Sequence, residues 1–167
     1  MIFTVFADGW IKLPRRYAPC SMGRSGVKAP PFKVEGDGVS PVGTWPLRRV
    51  LYRADRIREP DTGLPIAPIA ADDGWCDAPD DPNYNRQIKL PYPASAEALW
   101  REDAVYDLIV PLGYNDGPIR PGQGSAIFLH LARDGYLPTE GCVALALADL
   151  SAYLAVASPL SRVIVTR

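Results

Sequence analysis

One histidine, His130, and a cysteine twelve positions beyond it, Cys142, stand in the segment Ser125–Leu147, and this chain has no other histidine. A thiol and an imidazole in one short stretch are the parts of a nucleophile and its base. The β-branched and aromatic content of Ser125–Leu131 predicts a short strand, whose two-residue period puts Ala126, Phe128 and His130 on one face with His130 at its end. The following stretch, with Asp134-Gly135 and Pro138, reads as a loop that brings the chain back beside that strand, with Cys142 at its far end. Gly141 removes a side chain where a substrate carbonyl would need to approach backbone N–H groups, as in an oxyanion hole. Thiolate, imidazole and backbone donors together make an acyl-transfer site. The same two residues also fit a plain structural role, because free cysteine is among the most buried residue types and a strand histidine is usually a hydrogen-bonded one.

The sequence around them extends the reading. His130-Leu-Ala-Arg-Asp-Gly-Tyr-Leu-Pro-Thr-Glu-Gly-Cys-Val-Ala-Leu145 resembles the signature of the YkuD-type L,D-transpeptidases: a His, a variable loop, Ser or Thr, a polar residue, Gly, Cys, an apolar residue and usually Arg. His130, Thr139, Gly141, Cys142 and Val143 match it. Upstream, Glu35-Gly-Asp-Gly-Val-Ser-Pro-Val-Gly-Thr-Trp-Pro-Leu47 is similar to the family segment K-x-G-D-x-x-T-P-x-G-x-F-x-I, with Ser40 where Thr is more common. The resemblance covers the chain from about Cys20 to its C-terminus. It implies a mainly β fold, the L,D-transpeptidase β-sandwich with short helices, one of them after the Cys motif. It also implies a cysteine enzyme that forms a thioester with a peptidoglycan stem peptide and passes the acyl group to an amine. Cys142, His130 and Gly141 are then the catalytic candidates.

Two positions depart from the signature. Glu140 stands where the family usually has His or Asn, and Ala144 stands where it usually has Arg. A carboxylate beside Cys142 disfavours a thiolate, so Glu140 is expected to point outward or to pair with an arginine. Arg86, with Asn85 beside it, is the candidate to replace the missing arginine, since a planar guanidinium fork suits the carboxylates of a stem peptide. The alternative is a local ion pair of Arg86 with Asp77, Asp80 or Asp81. Thr139 completes the substrate-binding candidates.

Composition limits the classes open to the chain. At 47% apolar and 22% charged residues, 167 residues fit one soluble globular domain spanning 1–167. A net charge of -1 gives no electrostatic footprint for nucleic acid. Eighteen prolines, against a usual share of about 5%, argue for a turn-rich β chain rather than a helical bundle. Cys20, Cys76 and Cys142 lack C-x-x-C spacing, and one histidine cannot complete an ordinary zinc set, so neither metal nor cofactor is expected and all three thiols are read as reduced. Met1–Phe6 is too short for a signal peptide and no apolar run reaches membrane-spanning length. The family resemblance implies the cell envelope, whereas the chain as written is also compatible with the cytoplasm.

The elements that must hold the site follow in chain order. Ile2–Phe6 and Trp10–Leu13 read as an edge hairpin through Ala7-Asp8-Gly9, and Thr44–Tyr52 as one strand after the glycine-rich turns before it. Glu59–Ala71 reads as an ordered surface excursion, and Asp73–Arg86 as a loop over the site. Ser95–Asp103 is predicted as a short helix capped by Ser95, Val105–Leu112 as a central strand, and Asn115-Asp-Gly117 as the turn after it. Beyond a strand at Val143–Leu147, a helix from about Ala148 to Ala157 should bury Leu150, Leu154 and Ala157, and Arg162–Thr166 should close the sheet. The rival readings are an L,D-carboxypeptidase or endopeptidase in which water replaces the amine, and a catalytically silent wall-binding module.

Overall fold

The computed structural model describes residues 1–167. Strands β1 (Ile2–Phe6), β2 (Trp10–Lys12) and β3 (Tyr17–Pro19) form an antiparallel meander, its first turn closed at Gly9 with φ +87°. Two short strands, β4 (Val27–Lys28) and β5 (Ser40–Pro41), pair in parallel around the glycine-rich turns. The stretch Thr44–Tyr52 is not one strand. It splits into β6 (Gly43–Pro46) and β7 (Val50–Tyr52), which belong to different sheets. Pro46 has no N–H to continue a ladder, and the chain turns a corner there.

The surface excursion contains β8 (Ile66–Pro68), paired in parallel with β7. A three-stranded antiparallel sheet follows, with β9 (Asp73–Cys76) flanked by β10 (Gln87–Lys89) and β11 (Ala96–Ala98). The predicted helix at Ser95–Asp103 is therefore absent. Ala96–Ala98 is drawn onto the free edge of β9, where Ala96 faces Cys76, and tertiary pairing outweighs a local preference of a few tenths of a kcal/mol per residue. Val105–Leu112 divides into a 3-10 turn at Ala104–Tyr106 and β12 (Leu108–Pro111). Then come β13 (Phe128–Leu131), β14 (Val143–Leu145), helix α1 (Leu147–Leu154) and β15 (Arg162–Val165).

Two five-stranded sheets result, ordered β3-β2-β1-β15-β6 and β14-β13-β12-β7-β8. β15 lies between β1 and β6, so it fills the middle of its sheet, and β3 rather than β1 forms the edge. The main core lies between the sheets and takes Val50, Leu108, Val110, Leu129 and Val143 from the second one, with Leu150, Leu154 and Ala157 from α1 and the turn after it. Alternate residues of the second sheet, Leu51, Ile109 and Phe128, point the other way into a smaller cluster with Trp75, Leu99 and Cys142. This sheet is buried on both faces, and its strands accordingly read as continuous apolar runs. The nucleophile candidate thus sits on the outer face, under the small sheet of β9.

Candidate active site

Cys142 immediately precedes β14, and the turn that presents it is held by side chains from both sequence motifs. Thr139 Oγ1 accepts the Gly141 N–H at 3.1 Å and donates to the Cys142 carbonyl at 2.6 Å. Ser40 Oγ accepts the Gly23 N–H at 2.9 Å and donates to the Gly141 carbonyl at 2.8 Å. Gly141 has φ +134°, and a Cβ there would stand 2.9 Å from the Val39 carbonyl oxygen, so the turn requires glycine. Its N–H is taken by Thr139, whereas the Cys142 N–H has no partner inside the chain. Thr139 and Ser40 therefore brace the turn that carries Cys142. No reading of the sequence assigned Ser40 a role, although its place in the upstream motif was the available signal.

The sulfur is held equally closely. Phe128 N–H donates to Cys142 Sγ at 3.3 Å, and the thiol donates to the Ala126 carbonyl at 3.1 Å. Ala126 has φ +52°, an unfavourable left-handed conformation for a residue with a Cβ, which shortens the predicted strand to Phe128–Leu131. Asn85 accounts for that conformation. Its Oδ1 accepts the Ala126 N–H at 3.0 Å and the Trp75 indole N–H at 2.9 Å, while its Nδ2 donates to the carbonyls of Tyr114 at 3.1 Å and Asn115 at 2.9 Å. Asn85 is buried with all four valences filled by the protein, so it positions the loop behind the sulfur and leaves no group for a substrate.

His130 lies within β13, level with Ala144 on β14. Its Nδ1 is 2.9 Å from the Leu131 carbonyl, which fixes the proton on Nδ1 and leaves Nε2 as the basic nitrogen. A backbone carbonyl thus orients the ring, and neither Asp134 nor Glu140 does. Tyr106 packs against the ring with its centroid 5.5 Å away. Burial lowers the imidazole pKa to about 4, opposed by the Leu131 contact and aided by the charges of Arg133 and Arg101. Burial also pushes the Cys142 thiol up to about 12, with the Glu97 carboxylate adding to the effect. Both shifts favour the neutral thiol and the neutral imidazole at pH 7 over a thiolate–imidazolium ion pair.

Cys142 and His130 open onto one cavity of about 450 Å³, whose wall also carries Tyr106, Asp77, Ser125 and Arg133. Glu140 is on its rim, and its carboxylate is turned outward to Arg24 at 2.9 Å, both side chains more than half exposed. Ala144 is 1% exposed and hydrogen-bonded through its backbone to Ser21, and it lies level with His130, so the position brings no cation to the cavity. Arg86 does not replace the missing arginine. It lies outside this cavity, on a groove with Arg49 and Lys89, and it pairs with none of Asp77, Asp80 or Asp81. The cations on the cavity of Cys142 and His130 are Lys33, Arg101 and Arg133. Lys33 is bound to Asp37 at 2.8 Å and Arg101 to Asp103 at 2.7 Å, which leaves Arg133 without an acidic partner. Arg133 is three residues beyond His130, in the variable loop, where sequence does not show which way a side chain turns.

A sequence model of the YkuD family, the L,D-transpeptidase catalytic domain, matches residues 2–165. The chain belongs to the YkuD family. Solved structures similar to this YkuD domain include L,D-transpeptidase 3 from Mycobacterium tuberculosis in complex with a faropenem-derived adduct, at 14% identity and a TM-score of 0.46, covering 99% of this chain and 60% of that one. An L,D-transpeptidase from Mycobacterium smegmatis follows at 15% identity and a TM-score of 0.42, covering 99% and 58%. The YkuD domain therefore spans about three fifths of the length of each of these structures. No match was found among curated proteins. Within the YkuD domain, the two motifs seen in the sequence meet at the Ser40–Gly141 hydrogen bond.

Proposed function

We propose that this YkuD domain is a cysteine acyltransferase acting on peptidoglycan stem peptides, with Cys142 as nucleophile and His130 as base and acid. The observation that carries the reading is that the thiol and an imidazole oriented by the Leu131 carbonyl share one cavity. The step starts from the neutral pair. His130 Nε2 takes the Sγ proton as the sulfur attacks the peptide carbonyl, and the charge formed on the ring is held through Nδ1–H and the Leu131 oxygen. The unpartnered Cys142 N–H is the oxyanion donor in this scheme. Collapse of the tetrahedral adduct breaks the C–N bond, and the leaving amine receives the proton from Nε2. An acceptor amine then attacks the thioester, gives its proton to His130, and releases the Cys142 thiolate to be reprotonated.

Arg133 is the group suited to a donor carboxylate. On the same wall Asp77 Oδ1 and Ser125 Oγ have no hydrogen-bond partner within the protein, and both are acceptors that suit an acceptor ammonium. Transfer to an amine is the reading adopted, with the L,D-carboxypeptidase reaction, in which water takes the amine's place, as the alternative that product analysis separates. The high pKa of Cys142 favours the second reading, a silent wall-binding module. A wall substrate would be met in the cell envelope, and wall fragments would be met in the cytoplasm. The test is intact-protein mass after mixing the domain, and its Cys142→Ala variant, with a stem tetrapeptide and an amine acceptor. A Cys142-dependent adduct with released D-alanine and a cross-linked product supports transfer; release without cross-link supports hydrolysis; no adduct supports the silent module.

A further inference from the structure

Outside the catalytic cavity, two adjoining depressions of about 470 and 380 Å³ share Arg49, Trp75 and Asn85 in their walls and form one groove. Four cations line it, and two are neutralised: Arg48 is bound by Asp116 through two contacts of 2.7 and 3.0 Å, and Lys89 by Asp72 at 2.6 Å and Asp73 at 3.0 Å. The other two have no acidic partner. Arg49 contacts only the Gln87 amide oxygen, at 2.5 Å, and Arg86, the residue before Gln87, has no side-chain hydrogen bond. Two planar guanidinium groups in the wall of one groove, beside the Trp75 indole, present fork-shaped donors with no acid to receive them.

The floor is also joined to the nucleophile. Trp75 packs edge-on against Phe128 with centroids 5.0 Å apart, and the Phe128 N–H donates to Cys142 Sγ. Asn85, in the left-handed region at φ +57°, holds the Ala126 N–H, and the Ala126 carbonyl accepts from the thiol. Strained conformations of this kind persist where the surroundings over-determine them, and they cluster at binding and catalytic sites.

We infer that this groove is a second ligand site, in which Arg49 and Arg86 together bind an oxyanion, a carboxylate or phosphate group, above Trp75. The inference is independent of the proposed acyl transfer. The group arrives either as a small free anion or as part of an anionic polymer, and the two guanidinium groups recognise both alike.

The test follows the Trp75 indole N–H resonance, assigned with Trp75→Phe, while the full chain is titrated with inorganic phosphate or with a glycerol phosphodiester oligomer at constant ionic strength. Saturable shifts are expected, with affinity weakened about tenfold in Arg86→Gln, the change that follows from losing one charge-assisted contact. Arg86 is exposed and unpaired, so this variant keeps the fold; Arg49→Gln should act in the same direction. Tighter binding of the oligomer identifies a polymer ligand, and equal binding per phosphate a free anion. A shift that does not saturate, that chloride reproduces, or that Arg86→Gln leaves unchanged overturns the site.

Discussion

Replacing Asn85 with alanine removes one buried amide and strands four groups at once: the Trp75 indole N–H, the Ala126 N–H and the carbonyls of Tyr114 and Asn115. At about 1 kcal/mol net per hydrogen bond the loss is about 4 kcal/mol, which water entering the vacated space reduces to about 3. Alanine also has to hold φ +57°, at a cost of about 1 kcal/mol that glycine avoids. Urea unfolding should therefore rank wild type above Asn85→Gly and Asn85→Gly above Asn85→Ala, with the two variants about 1 kcal/mol apart. Because total stability of a domain is about 5–15 kcal/mol, the loss is a large fraction of the whole. Alkylation of Cys142 by a neutral reagent should rise in both variants, since the Ala126 carbonyl that accepts the thiol proton is no longer fixed. A loss below about 1 kcal/mol with unchanged alkylation would refute the assignment of Asn85 as the brace behind the nucleophile.

Other consequences are as direct. With its thiol at about 12, Cys142 in the resting domain should alkylate at a rate that climbs tenfold per pH unit up to pH 10, without a plateau; a plateau below pH 8 would mean an ion pair with His130. His130, lowered to about 4 from an unfolded value of about 6.5, takes up its proton only on unfolding across that window, so stability is full above pH 7 and falls by roughly 3 kcal/mol as pH drops toward 4. Chemical denaturation at pH 7.5 and 4.5 should show this loss in wild type and a smaller one in His130→Gln. Gly141→Ala should cost about 2 kcal/mol or more by thermal unfolding, because its Cβ would meet the Val39 carbonyl at 2.9 Å; a neutral result would remove the steric argument. On the proposed function, Arg133→Gln should raise KM for a carboxylate-bearing donor about tenfold while leaving alkylation of Cys142 by a neutral reagent unchanged. Equal KM in the two enzymes would exclude Arg133 as the carboxylate contact.

The sequence by itself determined what local pattern can carry. A short apolar run placed β13, whose two-residue period sets Phe128 and His130 on the face opposite Leu129, and period 3.6 placed α1 with Leu150 and Leu154 buried. The order His130, Thr139, Gly141, Cys142 carried the resemblance to the YkuD signature, and the family model that matches residues 2–165 agrees with it. Where pattern and tertiary pairing disagreed, pairing prevailed: Ala96–Ala98 left its helix for the edge of β9, and Thr44–Tyr52 broke at Pro46 to serve two sheets. Side-chain direction was decided by the tertiary structure alone. Arg86 and Arg133 are both loop arginines with nothing in their neighbours to distinguish them, yet one faces the groove beside Trp75 and the other the cavity of Cys142. Ser40 reaches Gly141 across 101 positions of sequence, and Asn85 reaches Ala126 across 41. Contacts between loops far apart in sequence depend on how the sheets stack, and no local periodicity records them.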